Sequence, residues 1–121
     1  MKVPADYQPT EHQIMNAIIG YLWAKRYYVQ RQNSGKIKIY DSKARSYRMI
    51  GLMAPGTPDI MAFKATPDKF GYSRIEILYV EVKRPGNKPT LLQQIKMKEL
   101  ESFGARCIVA TCAEDLMRAG I

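Results

Sequence analysis

Residues 75–110 read IEILYVEVKRPGNKPTLLQQIKMKELESFGARCIVA, and their order decides the fold. Ile75 to Lys83 is dense in β-branched and aromatic side chains and is the strongest strand signal in the chain. Arg84-Pro85-Gly86-Asn87-Lys88-Pro89 breaks it. Thr90-Leu91-Leu92-Gln93 then fits a capping box, in which a threonine and a glutamine three positions later satisfy each other's backbone N–H groups. A helix is expected from there to about Phe103, with Leu92, Ile95, Met97, Leu100 and Phe103 as a core-facing stripe. Gly104 stops it, and Ala105 to Ala110 is a short apolar strand. Strand, helix and strand in succession form one crossover unit, so the two strands should be parallel neighbours.

Working outward, Thr10-Glu11-His12-Gln13 is a second capping box, and Ile14, Ile18, Tyr21 and Leu22 recur at helical spacing up to about Lys25. Residues 1–9, with two prolines and no periodicity, read as an irregular arm, and residues 10–121 as one domain. Tyr27 to Gln32 reads as a strand, Asn33-Ser34-Gly35 as a turn and Ile37 to Tyr40 as the strand returning from it. Met49 to Pro58 is a connection, Ile60 to Lys64 a strand, Pro67 to Gly71 a hairpin-like loop and Ala113 to Ala119 a last short helix. The expected class is α/β, a central mixed sheet flanked by helices.

Nineteen Lys and Arg against eleven Asp and Glu leave a net charge of +8. Such a field draws polyanions, with nucleic acid or an anionic membrane surface as the candidate partners. The first residues lack an apolar signal core, and no stretch approaches the roughly 18 apolar residues of a membrane span, so a cytoplasmic protein and no membrane partner are expected. Cys107 and Cys112 are not spaced as a C-x-x-C pair and have no histidine beside them, which argues for reduced, partly buried thiols over a zinc site or disulfide framework.

Two short motifs carry chemistry. Gly56-Thr57-Pro58-Asp59 leads into the strand at Ile60, and Glu81-Val82-Lys83 follows 22 positions after Asp59. Side chains alternate along a strand, so Glu81 and Lys83 share one face while Val80 and Val82 take the other. Asp59 approaches Glu81 if the two strands pair. Two carboxylates beside an ammonium can hold a hard divalent cation and keep a positive group near a scissile phosphate. Singly, each has a plainer reading: a turn aspartate after proline, and a cross-face ion pair at a strand end. Glu11 falls on the inward stripe of its helix, three positions before Ile14, or else merely favours the positive end of the helix dipole. His12 points about a hundred degrees away around the helix and reads as surface or cap. Lys43, Arg45 and Arg48 with Tyr40 and Tyr47 form either a solvated loop or a strip that touches phosphates and stacks on bases.

From about Glu11 to Val109 the chain resembles a stand-alone VRR-NUC domain of the phage or bacterial type, a branch of the PD-(D/E)XK nuclease superfamily. The resemblance rests on Glu11, on Arg31-Gln32-Asn33-Ser34-Gly35, on Gly56 to Asp59, on Glu81 to Lys83, and on Gln94, ten positions before Gly104-Ala105. Many members have a longer, acid- or proline-marked approach to that helix, where this chain has Leu91-Leu92-Gln93. The resemblance implies a restriction-endonuclease-like core and Mg²⁺ or Mn²⁺ held by Asp59, Glu81 and the Val82 carbonyl, with Glu11 on the cation or its water. It further implies that Lys83 orients the attacking water and Gln94 positions water or substrate. Arg31, Asn33, Ser34, Lys36, Lys38, Arg45 and Arg84 become candidate DNA contacts, each singly also an ordinary solvated cation or polar group. The activity implied is that of an endonuclease on branched DNA such as Holliday junctions, acting as a homodimer. Flap cleavage, a restriction-type enzyme and a non-catalytic nucleic-acid-binding module of the same fold stand as alternatives.

Overall fold

The computed structural model describes residues 8–32, 36–51 and 53–121. Among these, nine elements follow in chain order: α1 (Glu11–Ala24), β1 (Tyr28–Arg31), β2 (Lys36–Asp41), β3 (Ser46–Gly51), β4 (Ile60–Pro67), β5 (Ser73–Val82), α2 (Leu91–Ser102), β6 (Arg106–Ala110) and α3 (Ala113–Arg118). The expected arm at residues 1–9 and the turn at residues 33–35 lie largely or wholly outside the described residues.

Both capping boxes form. The Thr10 hydroxyl accepts from the Gln13 N–H at 3.1 Å and the Gln13 side chain accepts from the Thr10 N–H at 2.8 Å. Thr90 and Gln93 repeat the exchange at 3.2 and 2.9 Å. Each box satisfies N–H groups that a helix start leaves without partners. The buried side of α1 is Ile14, Met15, Ile18 and Leu22. Full burial of an aliphatic side chain contributes roughly 1.5–3 kcal/mol, so this face fixes the helix to the sheet.

The main sheet has the order β1-β4-β5-β6. β4 pairs antiparallel with β1 and with β5, and β5 runs parallel to β6 across the α2 crossover, as the sequence implies. The fold is therefore a mixed α/β sheet with helices against it. Ile60, Ala62, Leu78, Val80 and Val82 meet α1, Ala110 and Leu116 in one core cluster. Among the described residues no helix is long and apolar enough to cross a membrane.

Met49 to Gly51, expected as part of a connection, instead complete strand β3, and two further expectations fail on tertiary grounds. The strand at Ile37 to Tyr40 does not return along β1; it pairs with β3 in a separate two-stranded sheet, while β1 takes β4 as its partner. β4 offers the apolar Ile60 and Ala62, both buried in the core, whereas Lys36 to Tyr40 of β2 are all exposed. The expected stripe of α2 is also mostly uncovered. Met97 alone is buried, and Leu92, Ile95 and Phe103 are exposed, because α2 rests on β6 at one edge of a four-stranded sheet.

Candidate active site

The register that joins β4 to β5 builds the site. Ile60 lies opposite Val80, so Asp59, one residue before the strand, falls beside Glu81 and Val82. Its Oδ2 accepts from the Val82 N–H at 2.8 Å, and its backbone carbonyl accepts from the Gln32 N–H at 2.7 Å, which extends the β1 ladder by one step. Asp59 is thus fastened to both neighbouring strands. Val80 and Val82 are fully buried on the α1 side, and alternation turns Glu81 and Lys83 to the other face.

Glu81 is 2% exposed, a rare burial for a carboxylate. Its Oε1 accepts from Gln93 Nε2 at 3.0 Å and lies 3.5 Å from Lys83 Nζ. Its Oε2 is buried with no hydrogen-bond partner among the described residues. Burial first, and the negative charge of Asp59 second, push the Glu81 carboxyl up to about 8, against the opposing pull of the Lys83 ammonium. Lys83 is itself mostly enclosed, and its backbone N–H donates to the Ala110 carbonyl, which carries the β5–β6 pairing past the end of β5.

The loop ahead of Asp59 is held by glycine and proline chemistry. Thr57 donates from both its N–H and its hydroxyl to the Ala54 carbonyl, and Pro58 is fully buried. Gly56 has φ of +81°, and a Cβ there would come within 2.7 Å of the Leu92 carbonyl oxygen. No side chain fits without moving the start of α2, the turn that carries Gln93.

Of the residues inferred from sequence, Asp59, Glu81, Val82 and Lys83 come together. Gln94 does not join them: it is exposed and its Nε2 donates to the Pro89 carbonyl at 3.1 Å. Gln93 takes that place. Its side-chain oxygen is committed to the Thr90 N–H, which turns the amide NH₂ to Glu81, and the capping box was the signal from which this could have been read. Glu11 is exposed at the first position of α1 instead of facing inward, since the buried stripe begins at Ile14. Its helix is nevertheless tied to the site end of β5, where Arg84 Nε donates to the Pro9 carbonyl at 3.2 Å. Gln32 was missed; buried at the register position opposite Asp59, it is a second polar residue on the site's face. Arg31, Lys36, Arg45 and Arg84 are exposed, and Asn33 and Ser34 lie outside the described residues. Both cysteines are free thiols away from this cluster, and burial pushes Cys107 up to about 11.

The donor set suits a hard divalent cation. It offers two adjacent carboxylates, one with a buried oxygen that has no partner among the described residues, and no histidine or thiolate. Among the described residues no group of three or more His, Cys, Asp or Glu side chains gathers as a metal cage, so any cation held here would retain several waters, as Mg²⁺ commonly does.

A family model for the VRR-NUC domain matches residues 10–114. No curated protein and no solved structure matches the chain.

Proposed function

The chain belongs to the VRR-NUC family of nucleases, and from that premise we propose that it is a divalent-metal-dependent endonuclease that hydrolyses phosphodiesters in branched DNA such as Holliday junctions, acting as a homodimer. The observation that carries the reading is Glu81: a buried carboxylate with one oxygen unpartnered among the described residues, an acid beside it and an ammonium 3.5 Å away. This burial is unfavourable for the charged form, and a divalent cation beside it would offset the cost.

Asp59, Glu81 and the Val82 carbonyl are the proposed ligands. A bound divalent cation supplies charge stabilisation at the phosphate and lowers the pKa of a water. Lys83 presents its ammonium to a nonbridging phosphate oxygen and orients the attacking water. Gln93 holds Glu81 Oε1, so that the carboxylate keeps one orientation while its other oxygen faces the ligand position. This hydrogen bond fixes the ligand as outer partners do in metal sites generally.

Assembly is supported by the apolar surface of α2 and the residue after it, where Leu91, Leu92, Ile95 and Phe103 are all exposed. A twofold dimer presents two equivalent sites, which suits a junction cut on two symmetric strands. The test is a panel of linear, flap and four-way DNAs incubated with Mg²⁺, Mn²⁺ or chelator at two salt concentrations. Nicking of four-way DNA is expected only with metal, falling on the order of 10²–10³-fold in Lys83→Ala and further in Asp59→Asn. Wild-type rates in either folded variant refute the assignment, and preferred cutting of flaps or of fixed sites in linear duplex refutes the branched-DNA preference.

A further inference from the structure

The β2–β3 ribbon belongs to no part of the site described above. It is a separate two-stranded sheet, and nearly every residue in both strands is exposed. An isolated ribbon of this size is marginally stable in water without something to lie against. Its composition says what that is. Residues 36–51 contain Lys36, Lys38, Lys43, Arg45 and Arg48 against Asp41 alone, five positive charges less one, so +4 of the chain's +8 sits in these 16 residues. The single acid is occupied, since its Oδ1 accepts from the Lys43 and Ala44 N–H groups and closes the turn.

The register sorts the side chains. Directly opposed residues share a face, so Lys36, Lys38, Met49, Tyr40 and Tyr47 line one side, and Ile37, Ile39, Ile50 and Arg48, with Asp41 and Ser46 at the turn end, line the other. On the first side the two tyrosine rings meet edge to face at 5.2 Å, and Lys38 Nζ stands 4.6 Å over the Tyr47 ring. At the turn, Arg45 has φ of +52°. That conformation favours glycine or asparagine, and an arginine held there places a guanidinium at the ribbon's tip at a conformational cost.

We propose that the β2–β3 ribbon is an arm for duplex DNA, separable from the cleavage site, which lays its Lys36, Lys38, Tyr40 and Tyr47 face in a groove with Arg45 on the flanking phosphates. The inference rests on the reading of the chain as a DNA-cleaving enzyme. Strands of six residues span about 20 Å at roughly 3.4 Å per residue, and a major groove about 12 Å wide admits a two-stranded ribbon. The arm supplies affinity, and the carboxylate site supplies chemistry.

Fluorescence anisotropy with a labelled 25-base-pair duplex in chelator, which prevents cleavage, tests this on the intact chain. Lys36→Ala/Lys38→Ala/Arg45→Ala is expected to weaken binding on the order of a hundredfold at 0.1 M salt. It should also make the slope of log Kd against log salt shallower by about 2 to 3, at roughly 0.9 for each phosphate no longer neutralised. Tyr47→Phe should bind like the wild type and Tyr47→Ala should not. Arg45→Gly, which relaxes the backbone, should keep or raise the melting temperature while weakening DNA binding. In cleavage assays the triple variant should raise KM and leave kcat near the wild-type value. Wild-type Kd and salt slope in the folded triple variant overturn the proposal, as does a change in oligomeric state with DNA binding intact, which would make the ribbon an interface between copies. Ribbon-dependent binding without cleavage under any divalent metal leaves the arm standing and removes the nuclease reading. Cleavage with ribbon-independent binding does the reverse.

Discussion

Glu81→Gln should make the metal-free protein more stable, by a margin that opens as the pH rises above about 4.5 and is complete above about 8. The Glu81 carboxyl is raised from an ordinary value of 4.5 to about 8 by burial and by Asp59. Between those pH values the folded protein holds a proton that the unfolded chain has released. Stability from this group is therefore fully present below pH 4.5 and is lost as the pH rises through about 8. At about 1.36 kcal/mol per pH unit, the whole window is worth at most about 5 kcal/mol. Lys83 and entering water relax around the ionised carboxylate, so about 2 kcal/mol is the expected net loss at pH 9.

Glutamine has nearly the shape of protonated glutamate and still accepts from Gln93. Wild type and variant should therefore melt together at pH 5. For a chain of this size roughly 3–5 °C accompanies each kcal/mol, so a gap of about 6–10 °C should open by pH 9, with the variant higher. The assay is thermal unfolding followed by far-ultraviolet circular dichroism in chelator at pH 5, 7 and 9. Titrating groups away from Glu81 are common to both proteins and cancel in the difference. A gap that is independent of pH, or that opens toward acid, would refute the reasoning.

Divalent metal should reverse the ranking: Mg²⁺ or Mn²⁺ should raise the wild-type melting temperature at pH 8.5, by about 1.4 kcal/mol for each tenfold excess over Kd, and leave Glu81→Gln nearly unmoved. Because the cation must displace the Glu81 proton, its affinity measured by calorimetry should fall up to about tenfold per unit below pH 8. Gln93→Ala should reduce cleavage about 10- to 100-fold while Gln94→Ala stays near wild type, and equal effects would show that the Glu81 hydrogen bond has no role. Gly56→Ala should cost about 1–3 kcal/mol in a urea melt, from the positive φ and the collision with Leu92, and should lose more activity than that instability explains even where the fold is intact.

What could be read from sequence was local. The capping boxes at Thr10 and Thr90 need only four residues each, and the crossover from Ile75 to Ala110 follows from a strand, a breaker and a capped helix in order; both are present. The approach of Asp59 to Glu81 also followed once two neighbouring strands were assumed to pair. The readings that failed depended on which surface meets which. Ile37 to Tyr40 had the alternation of a strand but nothing in it named β3 over β1. Leu92, Ile95 and Phe103 have the spacing of a core stripe, yet spacing does not say whether the covering partner lies in the same chain. Gln93 and Gln94 differ by one step of about 100° around α2; the capping box orients the Gln93 amide, and the docking of that helix on the Gly56 loop brings it to Glu81.

That docking also explains how an unfavourable site persists. Glu81 would relieve its burial by swinging toward solvent or by parting from Asp59, and the structure obstructs both. Asp59 is pinned by hydrogen bonds to Gln32 and Val82, and Glu81 by an amide whose other end is fixed in a capping box. Gly56 presses the loop before Asp59 onto the backbone of Leu92 and Gln93, so the two pins are mechanically one unit. The cost of holding two acids together is therefore borne by the rigid parts of the fold, and a cation bound there would return it. A site arranged this way has little binding energy to spare for recognising DNA, since its interactions are committed to keeping charge in place. Recognition belongs on a surface that can vary without disturbing the acids, and half of the net charge lies on a ribbon that shares no sheet with them.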